Sequence, residues 1–247
     1  MKILVIKFRN IGDVLLTSPL ITALAQTFPD AGITAMVNPG MEDMLTGHPG
    51  LNEVMAPDPY RGGNESRLQF GLRVMRFFRD LRKRRFDLVI NTTEGDRGML
   101  FGYLSGAPQR YGYLKENDKA WRKKLLTRSW IWREEGTHTA VRNLVFASGG
   151  DMQQGVSVAL VFSDQDQWAV EKALAGEGYH GQKPLVHVHP LSRWQFKCWD
   201  DQKMAAAVDY IQAELGAAVA LTCGPDKKEH ERLQRILGFC ETRPLNI

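Results

Sequence analysis

Residues 3–19, Ile3-Leu-Val-Ile-Lys-Phe-Arg-Asn-Ile-Gly-Asp-Val-Leu-Leu-Thr-Ser-Pro19, decide how the whole chain is read. The apolar run Ile3–Ile6 has the look of a strand buried on both faces, as in a parallel sheet. Past the turn, Leu16, Leu20, Ala23 and Leu24 recur at helical spacing. Gly12 and Asp13 thus fall where the carboxyl end of a strand turns into a helix, the place where open α/β sheets gather ligands. Gly12 allows close approach of a ligand or backbone. The Asp13 carboxylate has two readings, a helix cap or a group presented to a ligand. Pro19 leaves the helix start open as well: either Ser18 caps a helix with Pro19 at its first position, or one helix from Asp13 kinks at Pro19.

Working outward, the same strand–helix alternation repeats. Strands are predicted at Ile33–Val37, Leu51–Met55, Asp87–Ile90 and Arg110–Tyr113, and helices at Met41–Leu45, Asp96–Leu104 and His138–Ala147. Leu68, Leu72, Met75, Phe78 and Leu81 give a basic amphipathic helix. Residues 58–64 have loop composition. Lys115–Arg133, basic and rich in tryptophan, reads as a surface loop or hairpin, with a membrane-facing patch or a single-stranded nucleic-acid surface as further options. Val156–Val161 is an apolar run, and Ser163–Leu174 a helix with good N-terminal chemistry. The pattern then restarts: strand 184–189, helix 201–215, strand 217–222, turn 223–226 and helix 227–237. Only two clear strands belong to this second unit. The expectation is that the first domain supplies more, or that the chain lacks a C-terminal part.

Composition sets outer bounds. The 247 residues hold 43% hydrophobic and 24% charged side chains, ordinary for a globular protein, and the net charge is +4. No apolar run reaches the ~20 residues of a membrane span, and no signal-peptide pattern precedes the first strand, so a cytoplasmic location is expected. Cys198, Cys223 and Cys240 form no C-x-x-C pair and read as free thiols. Basic residues cluster at Arg73–Arg85 and Arg122–Arg128, which favours polyanionic partners or is simply a solvated helix face.

Three ordered motifs then carry a resemblance: the opening Ile-Lys-x-x-x-x-Gly-Asp-Val-Leu-Leu-Thr-Ser-Pro, His187-Val-His-Pro-Leu-Ser-Arg-Trp-Gln-Phe-Lys-Cys-Trp199, and Thr222-Cys-Gly-Pro-Asp-Lys-Lys-Glu229. Together they resemble the bacterial ADP-heptose:lipopolysaccharide heptosyltransferases (glycosyltransferase family 9), most of all the core heptosyltransferase III branch. The resemblance implies an α/β fold of GT-B type, with two Rossmann-like doubly wound domains and the active site in the cleft between them. Residues 1–155 would form the acceptor-binding domain, 156–182 a linker region, and 183–247 a shortened donor-binding domain. It implies inverting, metal-independent transfer of L-glycero-D-manno-heptose from ADP-heptose to an inner-core heptose, with no cofactor beyond the donor.

Residue roles follow from the resemblance in the same way. Asp13 would be the general base, since an inverting transfer needs one opposite the leaving group. Lys197, Ser192 and Arg193 would meet the departing diphosphate, and Asp226 either the ribose or only its own turn. Arg9, Asn10, Arg61, His138 and Arg142 would face the acceptor, a lipid A–inner core precursor. His138 and Arg142 also stand four apart on one helix face. His187 and His189 alternate like metal ligands but lack a third partner, so no metal is expected. Nucleic acid is not expected as a partner. Peripheral attraction to the cytoplasmic face of the inner membrane would come from the basic clusters. The family's Asp-Ser-x-Pro-x-His-like motif does not occur before Ile247. A shortened, non-catalytic protein that binds the anionic lipid A–core is therefore the alternative.

Overall fold

The computed structural model describes residues 1–58, 65–132, 136–148, 157–192 and 194–247. The chain divides into two compact units, Met1–Val161 and Phe162–Ile247. Among the described residues no helix is long and apolar enough to cross a membrane.

In the first unit, β1 (Lys2–Lys7), β2 (Gly32–Val37), β3 (Glu53–Met55), β4 (Leu88–Asn91), β5 (Gln109–Leu114) and β6 (Arg128–Ile131) form one sheet in the order β3-β2-β1-β4-β5-β6. Every pairing is parallel. The two apolar runs that read as doubly buried strands sit at the centre: Ile3–Lys7 and Leu88–Asn91 are all buried. Chain order reverses between β1 and β4, which opens a crevice at their carboxyl ends. Lys115–Arg133, whose described part ends at Trp132, is no hairpin. It folds as α5 (Ala120–Leu125) followed by β6, which pairs parallel with β5 in the register Tyr111–Arg128. A parallel partner requires a crossover, and six helical residues supply it.

Helices cover both faces. On one side α1 (Ile11–Leu15), α2 (Ser18–Thr27) and α7 (Val145–Ser148) close over Ile3, Val5, Ile33 and Ile90, with α6 (Thr139–Asn143) packed against α2 and α7. The first of these corrects the reading at Pro19. The helix neither kinks there nor is capped by Ser18: α1 ends at Leu15, Thr17 precedes α2, and Pro19 lies in the first turn of α2. Ser18 Oγ instead donates to Leu15 O (2.8 Å) and accepts from the Ala159 backbone N–H (3.1 Å).

On the other side lie α3 (Arg67–Lys83) and α4 (Asp96–Leu104), packed through Leu81, Phe77, Phe78 and Phe101 onto Leu4, Ile6 and Val89. A capping box at Ser66–Gln69 starts α3. The expected apolar stripe of this helix turns inward only in part. Phe78 and Leu81 face the core, while Leu68, Leu72 and Met75 point to solvent. Val74, Phe77 and Phe78 follow a second stripe, and the edge-to-face cluster of Phe77, Phe78 and Phe101 gives that face the better packing.

In the second unit α8 (Asp164–Gly176), β7 (Leu185–Val188), α9 (Asp201–Ala213), β8 (Ala218–Leu221), α10 (Lys227–Phe239) and β9 (Leu245–Asn246) build a parallel sheet ordered β7-β8-β9. The third strand was not predicted; at two residues it is too short to show a period. Asp209 on α9 places it by accepting from the backbone N–H groups of Glu241 (2.9 Å) and Thr242 (2.8 Å). Residues 157–161, read as part of an apolar run, carry no regular structure. The three cysteines are free thiols.

Candidate functional site

The crevice between β1 and β4 is built by residues that follow directly on each strand. Lys7 ends β1 and is only 3% exposed. Its Nζ donates to the Thr92 carbonyl oxygen, 3.1 Å away, just beyond β4. Burial pulls the Lys7 ammonium down to about 8, a fall that Asp13 and Glu94 oppose and Arg9 and Arg142 reinforce. Five charged groups therefore share one electrostatic neighbourhood at the sheet's carboxyl edge.

Asp13 stands in the first turn of α1 and is not its cap. That place belongs to Asn10, whose side chain makes no capping bond. The Asp13 carboxylate instead faces Arg9, Oδ2 to Nε 3.8 Å, and Arg9 Nη1 donates to Glu94 Oε1 at 2.8 Å. Arg9 thus holds two carboxylates, one after each central strand, and leaves Asp13 part-exposed. Asn38, at the end of β2, donates to Arg9 O (3.2 Å) and accepts from Arg97 Nη1 (2.9 Å). The Arg97 guanidinium lies over the Phe8 ring, 3.9 Å from its centroid.

The turn after β4 is fixed from within. Asn91 Oδ1 accepts from Thr93 N (3.1 Å) and its Nδ2 donates to Thr93 O (2.9 Å), while Thr93 Oγ1 accepts from Phe8 N (2.9 Å). A methyl group at position 98 would lie 2.1 Å from Asn91 Oδ1, so α4 approaches this turn because residue 98 is glycine. Arg122 closes the rim: it pairs with Asp118 and with Asp96 (2.9 Å), and donates to Glu94 O (2.7 Å).

Arg142 lies on α6, its guanidinium 3.5 Å from the Trp132 ring centroid and its Nη2 3.2 Å from Thr139 Oγ1. Tyr113 OH donates to Arg142 O at 2.9 Å, and burial pushes that hydroxyl's pKa well above the usual tyrosine value. His138 is the N-cap of α6, its Nδ1 accepting from Ala140 N at 3.3 Å. Arg9, Asn10, Asp13 and Arg142 thus belong to one edge, where His138 orients the helix that carries Arg142. Arg61 lies outside the described residues.

In the second unit Ser192 and Lys197 lie on the loop that follows β7 and Asp226 on the loop that follows β8, two adjacent parallel strands. Ser192 accepts from Trp194 N (3.3 Å), and Lys197 is an exposed residue closing a short 3-10 turn at 195–197. Arg193 lies outside the described residues. Arg232, on α10, pins this loop. It donates to Asp201 Oδ1 (2.6 Å), Gln195 Oε1 (2.6 Å) and Trp199 O (2.8 Å). Asp226 is the N-cap of α10, accepting from Lys228 N at 2.9 Å. Glu229 reaches back to Gly224 N (2.9 Å) and folds that turn tightly. His187 and His189 both bond Thr222 Oγ1, at 2.8 and 2.9 Å. Among the described residues no group of three or more His, Cys, Asp or Glu could hold a metal.

Sequence reasoning missed Lys7 as a buried charge, and also Glu94, Arg122 and Arg232. Lys7 sat inside a quoted motif, and its place at the end of a doubly buried strand was the available signal. Glu94 and Arg232 show themselves through partners 85 and 31 positions away, and Arg122 reaches the rim through Asp96 and the Glu94 carbonyl, although its pair with Asp118 is local.

Set beside known proteins, residues 74–247 match the family described as Glycosyltransferase family 9 (heptosyltransferase). Lipopolysaccharide heptosyltransferase 3 of Escherichia coli K12 is 28% identical over 241 residues, covering 95% of this chain and 66% of that protein. A second Escherichia coli protein of the same name is 26% identical over 239 residues. This chain thus spans about two thirds of the length of these relatives. Among solved structures, a glycosyl transferase family 9 protein of Veillonella parvula superposes with a TM-score of 0.83 at 19% identity, covering 99% of this chain and 68% of the other. Heptosyltransferase II of Escherichia coli gives 0.73 at 21% identity, covering 98% and 70%. Escherichia coli heptosyltransferase WaaC with ADP gives 0.72 at 17%, covering all of this chain and 75% of the other. These likenesses show the α/β fold of GT-B type.

Proposed function

The chain belongs to glycosyltransferase family 9, and from that premise we propose that it moves L-glycero-D-manno-heptose from ADP-heptose to an inner-core heptose of a lipid A–core lipopolysaccharide precursor, with inversion at the anomeric carbon. The observation that carries this reading is the Asp13 carboxylate. It stands at the switch point of a parallel sheet, is not used up as a helix cap, and is held by Arg9 against Glu94.

In the proposed step, an Asp13 carboxylate oxygen takes the proton of the acceptor hydroxyl. The freed electron pair forms the new C–O bond at the anomeric carbon. The bond from that carbon to the β-phosphate oxygen breaks with its electrons, and ADP leaves. Negative charge near an oxocarbenium-like centre lowers the barrier further. Lys197, with Ser192 and Arg193, meets the charge that develops on the diphosphate, and Asp226 is offered to the adenosine ribose. Arg9, Asn10, Arg61, His138 and Arg142 are assigned to the anionic acceptor. No metal or organic cofactor enters this scheme. Because the acceptor is a lipid, the protein works at the cytoplasmic face of the inner membrane, held there peripherally.

The test is transfer from ADP-heptose to a heptose-deficient core acceptor, read with titration of ADP alone. Saturable ADP binding and a heptosylated product are expected. Folded protein that binds no ADP would remove the transferase reading for this chain.

A further inference from the structure

The layer of α3, α4 and α5 presents a surface that the transfer chemistry does not use. Along the outward line of α3, residues Leu68, Leu72, Met75, Arg79 and Lys83 succeed one another at steps of three or four, so all five share one face. The apolar three are 74%, 53% and 68% exposed. The core side of the helix is already served by Phe77, Phe78 and Leu81, so these three are not spill-over from an overfilled interior. Single exposed apolar residues are ordinary, but three large ones in line, continued by cations, are not.

Charge on this layer has one dominant sign. α3 carries six basic residues and a single acid, Asp80, which pairs with Arg79 (3.3 Å) and Lys83 (3.4 Å). Further round the layer, α4 exposes Leu100 and Tyr103, and α5 exposes Trp121 beside Lys123 and Lys124. α3 and α4 are tied by the Arg82 bond to Leu104 O (3.0 Å), and α4 and α5 by the Arg122–Asp96 pair. α4 and α5 therefore stand in one layer with α3, whose outward line holds the three exposed apolar side chains and the cations that follow them.

We propose that this surface docks on an anionic lipid bilayer, with Leu68, Leu72 and Met75 entering the acyl boundary and the surrounding lysines and arginines meeting lipid phosphates. An interfacial helix has this composition: apolar residues on one line, Lys and Arg beside them, and an aromatic residue at the rim. A purely polyanionic partner such as nucleic acid would use the cations and gain nothing from the exposed leucines. The inference deepens the peripheral association proposed above. It stands on surface chemistry alone and does not require the transfer reaction.

The experiment is co-sedimentation of the full chain with vesicles of phosphatidylethanolamine containing phosphatidylglycerol, against vesicles of phosphatidylcholine alone. Transfer to a water-soluble acceptor fragment and thermal melting are measured in parallel. Wild type should bind the anionic vesicles and be released by salt. Arg76→Gln/Arg79→Gln/Lys123→Gln should weaken that binding by on the order of a hundredfold. Leu68→Ser/Leu72→Ser/Met75→Ser should weaken it about tenfold, with melting and soluble-acceptor transfer unchanged. Vesicle binding as tight as wild type by either variant, or no binding by wild type, overturns the proposal. If transfer is absent throughout, the enzyme reading fails while the vesicle result still decides the surface.

Discussion

The ammonium of Lys7 donates to the backbone carbonyl of Thr92 across 3.1 Å, joining the carboxyl ends of the two central strands with a charge sealed from solvent. This tie carries an energetic cost that can be measured. Lys7 titrates near 8 in the folded protein and at 10.5 when unfolded, burial being the main cause. Between those values the unfolded chain holds more protons, so this group makes stability rise with pH across that window. Below about pH 8 the full cost of the buried charge is present, on the order of 3 kcal/mol. Lys7→Met should therefore be more stable than wild type at pH 7, by about 1–3 kcal/mol after loss of the hydrogen bond. The difference should shrink toward pH 10. Urea denaturation at both pH values checks it, and a variant less stable at pH 7 would mean that the tie outweighs desolvation.

Asp13→Asn keeps the size of the side chain and removes the proton acceptor. Turnover of ADP-heptose should fall by about 10²–10⁴-fold, while acceptor binding and melting temperature stay close to wild type. The Arg9–Glu94 bond of 2.8 Å remains to hold the turn. Single-turnover kinetics with titrated acceptor separate the two quantities. Unchanged turnover would take Asp13 out of the mechanism.

For Gly98→Ala the usual expectation is reversed. Alanine in a helix interior normally gains about 1 kcal/mol over glycine. Here the added methyl would meet Asn91 Oδ1 at 2.1 Å and Cγ at 2.7 Å, and that side chain is held by two bonds to Thr93. Net destabilisation of about 1–3 kcal/mol is expected, with part of it recovered in Gly98→Ala/Asn91→Ala. A stabilised single variant in thermal melting would show that the turn yields readily.

Arg232→Ala removes three bonds to the loop that carries Lys197 while leaving Lys197 in place. If that loop holds the donor diphosphate, calorimetric ADP affinity should drop about tenfold, roughly the 1.4 kcal/mol of one charge-assisted bond. Lys197→Ala should lose at least as much. ADP binding indifferent to both would move the donor site elsewhere.

What could be read in advance follows the range of the interactions. Ile3–Ile6 and Leu88–Ile90 announced buried parallel strands because a doubly covered strand must be apolar on both faces, a local property. The Gly12-Asp13 turn and the helices at 96–104 and 201–213 were equally local. Arg9 against Glu94, or Arg232 against Gln195 and Trp199, were not. These pairs lie tens of residues apart, and each partner alone is an ordinary surface-type residue.

By itself, then, the sequence determined the alternation of strand and helix, the parallel sense of the sheets, and the strand-end turn that bears Asp13, since each depends on side-chain period and turn chemistry over a few residues. Only the tertiary structure decided which stripe of α3 faces inward, since two overlapping stripes fit the helical period. The aromatic cluster of Phe77, Phe78 and Phe101 settled that competition by packing. Tertiary structure alone also made Lys7 a buried cation. A lysine at a strand's end is free to reach solvent until the turn after β4 takes its ammonium and the fold buries it.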